Sequence, residues 1–157
     1  MPYRESRNIE ISTKDYIKTQ INASWTGINV FRSFGEVTNN NLPAICVRLG
    51  KTLHDNVEIG APSTIRTATI FVDIFANDDG QRLDLKDFLI EKLKGEWDYH
   101  EYTVNNGVSS DIINGKIRRV ALSETEVSPA KDKSQLSKVD RYRHLITVTV
   151  TTGKVEV

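Results

Sequence analysis

The chain has 157 residues, 38% of them hydrophobic, which suits one domain with a core large enough to stand without a metal or a cross-link. Lys and Arg number 21, as do Asp and Glu, and this zero balance argues against a dedicated nucleic-acid binder, which needs surplus cations to face phosphates. The one cysteine, Cys46, excludes an intramolecular disulfide and a Cys-rich zinc site, and no run approaches the roughly 18 apolar residues of a membrane span.

Met1–Ile11 is polar and lacks the apolar core of a secretion signal, so it reads as a lead-in to a soluble, intracellular chain. Ser12 with Asp15 three residues on resembles a capping box. Ile17, Ile21 and Trp25 then form one apolar stripe, predicting a helix over about 12–25 that Gly27 stops. Ile28, Val30 and Phe31 suggest a short strand. Ser33–Asn41 is a soft connector, and Ala44–Leu49 alternates with Ile45, Val47 and Leu49 on one face. Residues 50–62, carrying Gly50, Asp55-Asn56, Gly60 and Pro62, read as turns.

Thr64–Phe75 is the clearest strand, with Ile70, Val72 and Ile74 on one face and no Pro or Gly. Asn77–Gly80 ends it and offers N-caps. A helix over 79–94 follows, with Leu85, Phe88, Leu89 and Leu93 inward and Gly95 as its stop. The aromatic segment 97–104 reads as a strand, Asn105-Asn106-Gly107 as a turn, and Ile117–Leu122 as another strand. Residues 123–140 hold few apolar side chains and read as a mobile loop, before the closing strand Tyr142–Thr152, in which His144, Ile146, Val148 and Val150 share a face. The expectation is one α+β domain over 1–157: a mostly antiparallel sheet, two helices packed on one face, and long polar loops.

Signatures of common chemistry are missing. The sequence contains no Gly-rich phosphate loop, no GxSxG elbow and no HExxH helix. His100 and Asp98 would share a strand face, two ligand types where catalytic zinc wants three. His54 lies beside Asp55 in a predicted turn, and His144 alternates with apolar residues as a partly buried, hydrogen-bonded side chain would. Cys46, between Ile45 and Val47, reads as a small buried hydrophobe. No catalytic, cofactor-binding or metal-binding residue is therefore assigned. Charge is uneven along the chain. Residues 77–111 hold nine acidic against four basic side chains, and residues 116–157 hold nine basic against five acidic. Two poles of opposite sign would suit head-to-tail self-association; two solvated faces of a neutral monomer are the alternative.

The order of these elements resembles the tail terminator (tail completion) proteins of long-tailed bacteriophages. The carrying segments are the amphipathic stretch Ser12–Trp25, the Pro-led strand Leu42–Arg48, the strand Arg66–Phe75, the helix through Leu83–Leu93, the Trp/Tyr-rich segment and the strand Arg143–Thr152. The resemblance covers most of residues 12–152 and rests on element order and apolar spacing. It implies a structural virion protein without catalytic residues or cofactor, assembled in the host cytoplasm. Its copies would form a hexameric ring that caps the tail tube, stops tail polymerisation and offers a docking surface to the head connector. The implied partners are other copies of itself, the tail-tube protein, the head–tail connector and the tail sheath, with DNA passing through the lumen without specific binding and no membrane involved. Ser33–Asn41 and Ser123–Asp140 would be the loops that order on contact. A head–tail connector or stopper of the neck is the neighbouring alternative. A small ligand-binding or enzymatic α+β domain, using His100 and Asp98 or a pocket under Trp97, is the alternative from another class.

Overall fold

The computed structural model describes residues 5–32, 34–38, 40–56, 64–105, 107–127 and 136–152. The first helix, α1, spans Glu5–Ser24. Ile9, Thr13, Ile17 and Ile21 recur every fourth residue and all are buried, so this stripe holds the helix against the sheet. The helix thus begins well before Ser12, and residues 5–11 are not a lead-in. Polar composition hid this turn because only Ile9 meets the apolar core, while Asn8, also buried, meets a strand margin. Ser12 lies mid-helix instead of capping it.

Two short elements follow, the strand β1 (Asn29–Phe31) and a 3-10 turn (Phe34–Glu36). The rest of the sheet comprises β2 (Ala44–Asn56), β3 (Thr64–Phe75), β4 (Glu96–Asn105), β5 (Val108–Glu126) and β6 (Arg143–Thr152). Between β3 and β4 lies α2 (Asp79–Leu93), whose N-terminus is capped by Asp78; its carboxylate accepts the Gln81 N–H at 2.7 Å. The six strands lie in the order β1-β2-β3-β6-β5-β4. Only the β1–β2 pair is parallel. One face, carrying Ile45, Val47, Ile70, Val72, Ile74, Ile146, Val148 and Val150, packs on α1 and on Leu85, Leu89 and Leu93 of α2. This is the α+β arrangement expected, a mostly antiparallel sheet with both helices against it.

Three boundaries differ from the sequence expectation. Residues 50–56 continue β2 past an irregularity between Leu49 and Thr52 instead of forming turns; residues 57–62 lie outside the described residues. β5 begins at Val108, nine residues before Ile117, and reaches Glu126. Both faces of its first part meet solvent, so no polar–apolar alternation marked it. Residues 123–126, expected in a mobile loop, are strand, and residues 136–140 form a turn with Ser137 donating to Asp140. Residues 128–135 of that expected loop lie outside the described residues.

Polar residues of α1 reach both margins of the sheet. On one side the Ser12 hydroxyl accepts the His100 N–H at 2.9 Å, and Asn8 Oδ1 accepts the Tyr102 N–H at 3.3 Å. These are outward-facing groups of the margin strand β4, which would otherwise invite another strand. On the other side Glu10 accepts the Leu49 N–H of β2 at 3.0 Å and pairs with Arg32 at 2.8 Å. The sheet therefore curves around the helix, with α1 in its hollow. Among the described residues, no helix is long and apolar enough to cross a membrane.

Candidate assembly surfaces

The sequence-selected histidines fall in three different settings. On β4, His100 places Nδ1 3.0 Å from Asp111 Oδ2 and stacks on Tyr102. Asp98 is engaged by the Lys116 ammonium across the β4–β5 pair. Asp98 and His100 do line one cleft, together with Ser12, Asp15, Tyr16 and Asp111. Each is held by its own partner, and no group of three or more His, Cys, Asp or Glu side chains is placed to hold a metal ion among the described residues. The Tyr102 hydroxyl donates to Asp15 at 2.7 Å. Burial, and then this bond, push its ionisation well above the usual tyrosine value, so it stays a donor.

His54 is exposed on β2 opposite Arg66, on a strand and not in a turn. His144 is buried, as its alternation with apolar residues predicted. Arg82 of α2 donates to its Nδ1 at 2.7 Å, so the ring proton sits on Nε2 and points to the Glu124 carboxylate. This chain of contacts ties α2 to β5 and β6. Trp97 fills the core in place of lying over a pocket. Its ring stacks on Tyr16 with centroids 5.3 Å apart, and its Nε1–H donates to Thr13 at 3.1 Å. Cys46 is fully buried, and its thiol is pushed up to about 11, chiefly by desolvation and next by the nearby Asp73 carboxylate.

The sheet face away from the helices carries a charged cluster at one end. Asp73, 1% exposed, accepts from Arg143 at 3.1 Å and pairs with Arg48 at 3.6 Å. The Arg48 and Arg143 guanidinium carbons lie 3.8 Å and 4.9 Å from the centroid of the Phe34 ring. Burial raises the Asp73 carboxyl above its ordinary value against the opposing pull of both arginines. Phe34, Val37 and Leu42 pack on Ala44, Cys46 and Phe75. The described part of the Ser33–Asn41 connector is accordingly seated on the sheet; Ser33 and Asn39 lie outside the described residues.

The two charged segments meet along the β4–β5 pair. β4 and β5 are consecutive antiparallel strands, and Glu96 pairs with Arg118 at 2.9 Å while Asp98 pairs with Lys116. Lys86 and Arg82 of α2 reach Glu124 and Glu126 at 4.0 Å and 3.8 Å. Two acidic residues of the first segment are thus matched by two basic residues of the second, whereas the α2 contacts join the minority charges of each segment.

Six large hydrophobic side chains are exposed among the described residues, and four of them lie on β5: Val108 (69%), Ile112 (63%), Ile113 (58%) and Val120 (57%). The others are Leu53 on β2 and Leu83 on α2. The sequence reading overlooked the β5 group, although the adjacent Ile112-Ile113 in a polar stretch was a signal: neighbours on a strand point to opposite faces, so one of them has no core to enter. No model of a known protein family matches this chain, and no curated protein matches it significantly.

Proposed function

We propose that this protein is a structural subunit of a bacteriophage particle, a tail terminator. Its copies close into a hexameric ring on the end of the tail tube, stop tail polymerisation and present the head connector with a docking surface. The observation that carries this reading is the β4–β5 hairpin. It exposes four large apolar side chains on β5, as a subunit built to be covered by neighbours would. The element order noted from the sequence supports the same reading. Mechanistically, a ring with one face complementary to the tube and another that the tube subunit cannot bind halts growth by occupying the open end. Copies meeting through two different surfaces around a rotation axis close on themselves and leave a channel. A channel that passes DNA without gripping it agrees with zero net charge.

The test is direct. Purified chain is mixed with tail-tube protein during polymerisation, and tube lengths and ends are scored by electron microscopy. Growth arrest with a ring of density at tube ends is the expected result; unchanged lengths and bare ends refute the proposal.

A further inference from the structure

His144 and Arg82 are both buried, and they meet where the start of α2 lies on β6. Their bond at 2.7 Å fixes the role of each group. A guanidinium carries donors and no acceptor, so Nδ1 of the ring is the acceptor and holds no proton. The ring's one N–H is then on Nε2, aimed at Glu124 of β5. Imidazole is the side chain whose ordinary titration falls between pH 5 and 8. A second proton enters only at Nδ1, where it meets the Arg82 nitrogen 2.7 Å away. A doubly protonated ring and the Arg82 contact therefore exclude one another.

The surroundings give each partner an alternative. On α2, Arg82 already meets Asp79 at 2.9 Å, and Glu126 of β5 lies at 3.8 Å. Lys86 of the same helix reaches Glu124 at 4.0 Å, while the Asp78 carboxylate is engaged by the Gln81 N–H. From β3, the residue opposite His144 is Ile74, which carries no charge. Around the neutral ring, two cations, Arg82 and Lys86, thus stand among three carboxylates, Asp79, Glu124 and Glu126. A proton on the ring evens that count, so charge admits it and the Arg82–His144 bond is what it breaks. Arg82 is left to Asp79 and Glu126, and His144 keeps Glu124. Asp79 is largely exposed, so the exchange replaces a buried hydrogen bond with solvated ion pairs, which hold weakly.

We infer that Arg82 and His144 form an acid-released latch. Near neutral pH it fastens the start of α2 to β6. Protonation of the ring frees residues 79–86, while Leu89 and Leu93, buried in the core, keep the rest of the helix in place. The latch stands apart from the ring reading and holds whatever the chain assembles with.

The test follows the ¹⁵N-labelled chain from pH 8 to pH 5.5, above the range in which carboxylates ordinarily titrate. Nitrogen resonances of the ring report its protons, and amide protection factors report the helix; His144→Gln assigns the ring. The expected result is a proton on Nε2 alone at pH 8. As Nδ1 gains its proton, protection at residues 83–86 should fall about tenfold or more, the loss of a hydrogen bond to a charged group. Residues 89–93 and β3 should keep theirs. In His144→Gln the amide accepts from Arg82 and donates to Glu124 without titrating, so protection should not change with pH. In Arg82→Gln the amide turns either its oxygen or its nitrogen to Nδ1, so the ring should titrate with no loss at 83–86. A proton on Nδ1 at pH 8, a ring that stays neutral to pH 5.5, or titration without lost protection overturns the inference. An equal loss in either Gln variant overturns it too.

Discussion

Replacing Thr13 or Trp97 probes the docking of α1, because these two side chains form a buried polar bridge between helix and sheet. Thr13 is 0% and Trp97 is 2% exposed, and the indole N–H donates to the threonine oxygen at 3.1 Å. In Thr13→Val the shape survives but the indole N–H loses its acceptor inside the core, a cost of about 1–3 kcal/mol. In Trp97→Phe the hydroxyl keeps an outlet, since a helical threonine can donate to a preceding turn's carbonyl. The loss there comes from the smaller ring and weaker stacking on Tyr16, about 2–3 kcal/mol together. The double variant leaves no orphaned donor, so it should cost about what Trp97→Phe alone costs, a coupling of about 1–3 kcal/mol. Urea unfolding followed by far-ultraviolet circular dichroism measures all four proteins, with m-values unchanged if only stability moves. Effects that add to within about 0.5 kcal/mol would refute the bridge, and with it the placement of α1 in the hollow of the sheet.

Three further outcomes are expected. Ser12→Val deprives the His100 N–H and C=O of their partner, so stability should fall by about 1–3 kcal/mol; sedimentation should also show new association through the unsealed β4 margin, and an unchanged monomer of parental stability contradicts the sealing role. A Cβ on Gly50 would stand 2.3 Å from the Phe71 ring, so Gly50→Ala should destabilise by about 1 kcal/mol by forcing that half-exposed ring aside. The penalty should vanish in a Phe71→Ala background, and its persistence there would assign it to the backbone. Cys46, its thiol near 11, should resist iodoacetamide at pH 8 until urea opens the core, because only about a thousandth is thiolate. The raised folded value also means that this group's contribution is fully present below its unfolded value of 9.0 and declines as pH rises towards about 11. Cys46→Ala should remove that part of the alkaline loss of stability, and an identical pH profile would argue against it.

Local signals were sufficient where one face of an element was buried and the other wet. Thr64–Phe75 and Asp79–Leu93 match their sequence boundaries closely because period-two and period-3.6 patterns, an Asp78 cap and the lack of breakers all agree. The zero net charge, the burial of Cys46 and the hydrogen-bonded setting of His144 were likewise legible from residue type and neighbours. Tertiary structure alone decided the rest. It drew residues 5–11 into α1, since Asn8 and Glu10 serve strand margins that no local pattern reveals. It set acidic Glu96 and Asp98 of β4 beside Arg118 and Lys116 of β5, because hairpin register pairs residues that sequence distance keeps apart.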